Sequence, residues 1–150
     1  REAEYIRGHI GRQGSPVIPS SETTQEDQSM KVVKSKDTPE NDVSDRPIFF
    51  GGKVTQQPLV GGDITRYYTF NIVNFAAGAR NKFHTHTSDQ VLFVTKGSGL
   101  VATESEEADL AVGDAALIPA GEKHWHGATP DSAFSHVSLT TPDSETTVFD

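Results

Sequence analysis

Two imidazoles separated by a single residue, His84-Thr85-His86, constrain this chain more than any other feature. On an extended segment, side chains at i and i+2 point to the same face. Such a pair can therefore grip one metal ion from one side of a sheet. His124-Trp125-His126 repeats the spacing, so four of the six His fall within residues 78–126. Gln90, four residues beyond His86, and His124, behind a second turn, can supply the third and fourth contacts.

The flanking sequence supports strands. Residues 67–75 (YYTFNIVNF) are aromatic and β-branched with near alternation, which predicts a long strand. Ile48-Phe49-Phe50 predicts a short one, followed by a turn-rich patch containing Pro58 and Gly61-Gly62. Residues 91–94 (VLFV) are apolar throughout, as in a strand covered on both faces. Gly97-Ser98-Gly99 reads as a tight turn, residues 100–103 as a returning strand, and residues 104–109 (ESEEAD) as an acidic hairpin loop. Further short strands are expected over residues 110–112, 115–118, 133–139 and 146–149. Gly and Pro punctuate them, and no stretch after Met30 carries a helical period. The class is all-β, a sandwich or barrel.

Residues 1–45 differ in composition, with Ser, Thr, Gln, Glu, Asp and Pro dominant. A segment such as residues 19–29 buries too little to repay its ordering entropy. The chain is expected to comprise a polar extension over 1–45 and a folded domain over 46–150. Met30 is the only Met, which suggests a natural start there, with residues 1–29 added. The net charge of −8 disfavours nucleic acid or an anionic membrane as partner. No Cys is present, which excludes disulfides, thiolate ligands and thiol nucleophiles. No run reaches the ~18 apolar residues of a membrane helix, and a cytoplasmic location is the default.

Gly78, five residues, His84-x-His86, three residues, Gln90, six residues, Gly97 resembles the first signature of the cupins. Gly113, five residues, Pro119-x-Gly121, two residues, His124 resembles the second. The resemblance implies a double-stranded β-helix, or jelly-roll barrel, with His84, His86, Gln90 and His124 as metal ligands. Glu is usual where this chain has Gln90. The run HTHxxxQxLxVTxGxG, then PAGEKHWHGATP, then His136, is similar to a narrower group of small single-domain cupins. That group includes manganese-dependent bacterial hydroxynitrile lyases and cupins associated with carboxymuconolactone decarboxylase domains, and Gln is usual in it. Thr87-Ser88-Asp89 departs from its pattern, which typically has Pro directly after the second His, so substrate identity is the least transferable property.

The resemblance also orients the pocket. Asn71, Val73 and Phe75 share one strand face, placed inward; Leu92 and Val94 continue the face of Gln90; His136 and Ser138 share another. Asn71, Val73, Phe75, Leu92 and Ser138 are expected to line the substrate cavity, with His136 as the base and His126 beside it. Arg80 is expected in an ion pair closing the barrel end, and Trp125 in packing or an interface. The implied function is Lewis-acid and His-base chemistry of hydroxynitrile-lyase type on a small organic substrate. An iron-dependent dioxygenase and a non-catalytic small-molecule-binding cupin are the alternatives. Manganese is the expected ion, with Fe²⁺, Zn²⁺ and Ni²⁺ also compatible with neutral N/O donors. By resemblance, a homodimer or larger homo-oligomer is expected.

Overall fold

The computed structural model describes residues 29–150, and residues 32–150 form one compact unit. The proposed start at Met30 concerns residues that, save Ser29, lie outside those described, as does His9. Among the described residues there are twelve strands and a single 3₁₀ turn, Ser35–Asp37. All strand pairings are antiparallel. The sheet curls on itself as a jelly roll.

The folded unit begins earlier than composition suggests. β1 (Asn41–Asp42) pairs with β3 (Val54–Val60), and Val43 is buried in the core. Gln57 Nε2 donates to the carbonyls of Ser35 and Thr38, which fastens the preceding segment. Residues 32–45 are polar because most face solvent, and a single inward Val is too sparse a signal to read. β2 (Phe49–Phe50) matches the expected short strand. The supposed turn patch at Pro58 is instead part of β3, where the register against β4 (Thr69–Phe75) slips between Pro58 and Val60. Pro58 lies beyond the stretch that β1 covers, where a missing N–H is tolerated.

β5 (Arg80–Asn81) and β6 (His84–His86) lead into β7 (Gln90–Thr103), a continuous fourteen-residue strand. The expected turn at Gly97-Ser98-Gly99 is absent. Residues up to Gly97 pair with β11 (Phe134–Thr140), whereas residues 99–103 pair with β10 (His124–Ala128). β7 is thus a barrel corner passing from one half of the curled sheet to the other. Gly97 makes the bend at φ +70°, and a Cβ there would stand 1.7 Å from the Ala133 carbonyl oxygen. The corner is read from sequence as a turn because both demand the same residue.

β8 (Glu107–Ala111) and β9 (Ala115–Ile118) flank β7, so the acidic loop shortens to a turn before Glu107. β12 (Thr146–Val148) returns to pair with β6. Residues 91–94 are covered on one face only: Leu92 and Val94 are buried, while Phe93 is 45% exposed. One part of the interior is apolar, built from Val43, Val54, Val73, Phe75, Ala79, Val94, Leu110, Ala128 and Phe134. Each large side chain buried there contributes roughly 1.5–3 kcal/mol. Phe75 marks its border, 6.1 Å from the Phe134 ring and 5.7 Å from that of His136.

Candidate metal centre

Strand alternation places His84 and His86 on one face of β6, and pairing of His84 with His124 on β10 brings the third ring across. Ligand atoms of the three lie within 4.8 Å of one another. His84 and His124 are fully buried, and their ring centroids are 4.2 Å apart. His84 Nδ1 donates to the Lys82 carbonyl at 2.9 Å, and His124 Nδ1 to the Glu122 carbonyl at 2.8 Å. Both rings are thereby fixed with Nε2 as the lone-pair nitrogen, the form a metal requires. His86 Nδ1 meets Thr146 Oγ1 at 3.0 Å, leaving its buried Nε2 without a partner. The three His could hold a divalent metal ion.

Gln90 lies against this His group. Its Nε2 donates to Ser138 Oγ at 3.0 Å, which turns Oε1 toward His124 Nε2 at 3.1 Å. Both atoms of the latter contact are acceptors once His124 carries its proton on Nδ1. Two lone pairs at that distance have no hydrogen between them, and a cation is what such a convergence suits. The residues therefore fit a metal ion on their own chemistry. The three His and Gln90 are all uncharged, so together they would add no negative charge to an ion bound there.

Burial favours the uncharged imidazoles throughout. His84 is depressed to about 3 and His86 to about 4, by burial first and by neighbouring His charge second. Burial likewise lowers His124, partly countered by the Glu122 carbonyl. His126 falls well below the ordinary His value, through burial and then the charges of the surrounding His. Burial lowers His136 to about 4.

A cavity of about 450 Å³ opens on the centre. His126, His136, Asn71, Val73, Phe75 and Ser138 line it. Leu92 does not: it faces inward and is fully buried, but is absent from the cavity wall. Its register partner Ser138 lines the cavity and holds the Gln90 amide, so the wall there is polar. Alternation gives the face of a residue but not its depth. His126 and His136 each carry one buried ring nitrogen without a partner, Nδ1 and Nε2 respectively, with ring centroids 4.8 Å apart.

Sequence reading misses several neighbours. Asn81 is buried and holds His126. Residues 46–49 and the β12 residues Thr146 and Val148 also line the cavity. Only long-range register brings these in, and no local spacing signals it. Asp89 is exposed, and its carboxylate accepts from the Ala120 N–H at 2.9 Å, tying the loop before Gln90 to the turn before His124. Among the described residues Arg80 forms no ion pair, contrary to expectation. Its guanidinium lies 4.3 Å from the Trp125 ring centroid and 4.8 Å from that of Phe50, and Trp125 is packed beneath it.

A curled antiparallel barrel with a His cluster inside defines a class. Residues 71–139 match the family model described as a cupin domain. The chain belongs to the cupins. It is 36% identical over 92 residues to an (R)-mandelonitrile lyase of Granulicella tundricola, an overlap spanning 61% of this chain and 70% of that protein. A 62-residue stretch is 37% identical to an acireductone dioxygenase of Parasynechococcus marenigrum, covering 37% of this chain and 33% of that one. Among solved structures, a cupin-like protein from Thermotoga maritima superposes with a TM-score of 0.64 at 26% identity, over 79% of this chain and 90% of the other.

Proposed function

We propose that this chain is a metal-dependent lyase that cleaves the C–C bond of a small cyanohydrin-type substrate. The observation that carries the reading is the pairing of two unsatisfied features. Ligand atoms of His84, His86 and His124 lie within 4.8 Å of one another with Gln90 Oε1 3.1 Å from His124 Nε2, while the ring of His136, whose Nε2 has no partner, lines the same cavity. His84, His86, Gln90 and His124 would hold the ion, with manganese expected and Fe²⁺, Zn²⁺ or Ni²⁺ as other occupants. A divalent ion bound there supplies Lewis-acid polarisation of a substrate oxygen or nitrile.

The protein's own groups supply the rest. His136, neutral at physiological pH, has its Nδ1 committed to the Val137 carbonyl at 3.0 Å, so Nε2 is the basic atom. It takes the substrate hydroxyl proton. The oxygen's electron pair then forms the carbonyl, the C–C bond breaks, and cyanide leaves with the bonding pair. His136 returns the proton to cyanide. Phe75 and Val73 provide the apolar wall against which a hydrocarbon substituent packs.

Mandelonitrile cleavage is to be assayed in chelator-treated protein with and without added Mn²⁺, alongside elemental analysis of natively purified protein. Cleavage restored by the ion supports the proposal. Turnover no faster with metal than without it removes the lyase reading. The uncharged donor set and the dioxygenase relative favour one second reading, oxygenation with Fe²⁺. Iron-specific oxygen uptake with a diketone or enediol substrate, absent with Mn²⁺, would mark that chemistry.

A further inference from the structure

Asn81 determines which nitrogen of His126 carries the proton. The backbone N–H of His126 can only donate, and Asn81 Oδ1 accepts from it at 2.7 Å. That contact fixes the orientation of the amide. Its other end, the donor-only Nδ2, stands 3.2 Å from His126 Nε2. A donor facing Nε2 requires a lone pair there, so the ring's single proton sits on Nδ1, the buried nitrogen without a partner. His136 is the reverse case. Its Nδ1 donates to the Val137 carbonyl, and its partnerless Nε2 is an acceptor. The two rings meet nearly edge to face, at 81°, on one cavity wall.

Two rings of the cavity lining, 4.8 Å apart, thus carry one unspent donor and one unspent acceptor, the complement of a hydroxyl group. We propose that Asn81 is a positioning residue that sets the His126 tautomer and so builds a cradle for a substrate alcohol. His126 Nδ1–H donates to the hydroxyl oxygen, and the hydroxyl donates its hydrogen to His136 Nε2. When that proton transfers, the O–H bond breaks, an N–H bond forms on His136, and His126 remains hydrogen-bonded to the alkoxide oxygen. The substrate class is an alcohol with its O–H free. An ether lacks the hydrogen that His136 needs. This inference rests on the lyase reading for its chemistry, but the tautomer and the hydroxyl preference stand apart from it.

A merely structural Asn81, tying β5 to β10, would be replaced well by any oxygen acceptor of the same shape. N81D is such a replacement, but a carboxylate oxygen facing Nε2 accepts rather than donates and draws the ring proton to Nε2. With ¹⁵N-labelled His and diamagnetic Zn²⁺ bound, long-range ¹H–¹⁵N spectra should show His126 protonated at Nδ1 in the wild type and at Nε2 in N81D. In the Mn²⁺ form, kcat for mandelonitrile should fall about 100-fold in N81D, with KM and metal content nearly unchanged. A wild-type ring protonated at Nε2 overturns the proposal, as does a reversed ring with undiminished kcat.

Binding decides the matter if mandelonitrile is not a substrate. Benzyl alcohol should bind the wild-type zinc form about tenfold more tightly than benzyl methyl ether, the worth of one hydrogen bond to a group otherwise left bare. That preference should vanish in N81D. Equal wild-type affinities for alcohol and ether would overturn the cradle, whatever reaction the centre performs.

Discussion

Acid should unfold the metal-free protein well before it denatures an ordinary domain, and His136 supplies a measurable share. In the folded state burial holds this imidazole at about 4, against 6.5 when unfolded. The unfolded chain therefore binds the extra proton first as pH falls. The resulting stability is fully present above pH 6.5 and is lost as pH drops toward 4. At about pH 4.5 the unfolded ring is charged and the folded one still largely neutral, a gap of roughly two pK units. At about 1.4 kcal/mol per unit, this one residue costs about 2–3 kcal/mol. Small domains hold only about 5–15 kcal/mol in total.

The assay is urea unfolding with chelator present, at several pH values between about 7.5 and 4.5. His136→Asn gives the comparison, since an amide Nδ2 can replace the Nδ1 donor to the Val137 carbonyl. Its own packing cost cancels because only the pH dependence is compared. The wild type should lose about 2–3 kcal/mol more than the variant across this window. Parallel profiles would refute the burial argument. A wild type that gained stability in acid would reverse its sign.

Three further outcomes follow from contacts elsewhere. Gly127→Ala should lower stability by about 1–3 kcal/mol in thermal or urea melts, because its Cβ would lie 2.3 Å from Arg80 Cβ and 2.6 Å from the Ala79 carbonyl oxygen. Ser138→Ala releases the Gln90 amide that it now accepts from, and metal affinity in a competition titration should fall about tenfold or more. Arg80→Met keeps an apolar stem but removes the cation held over Trp125 and Phe50. It should cost about 1 kcal/mol in unfolding free energy and leave metal affinity unchanged.

The His cluster is legible in the sequence because its geometry is mostly local. His84 and His86 share a face by alternation alone, and Gly and Pro spacing locates His124 behind its turn. Gln90 is placed by the same spacing, but its orientation depends on Ser138, forty-eight residues away. Depth and register are not local. Leu92 has the right parity and the wrong depth, and Asn81 acquires its role only from β10 forty-five residues later. The barrel corner in β7 is invisible for another reason: glycines at 97 and 99 suit a reversal and a bend equally well. What distinguishes them is the Ala133 carbonyl packed against Gly97.

Fold and site make opposite demands on this barrel, and the His cluster shows how they are reconciled. Buried polar atoms without partners cost about 1–3 kcal/mol each, and His86, His126 and His136 present three of them around one cavity. The apolar core on the far side of Phe75 offsets that cost and keeps the rings in place. Hydrogen bonds that could relieve it are instead spent at the outer nitrogens, on the carbonyls of Lys82, Glu122 and Val137 and on Asn81. Each such bond fixes a tautomer, and at His126 and His136 it leaves the other ring nitrogen bare. On the proposed function, ligand and substrate binding would satisfy atoms that folding left unsatisfied, so the deficit expected to make the metal-free barrel acid-labile is the one that a metal ion and a hydroxyl would relieve.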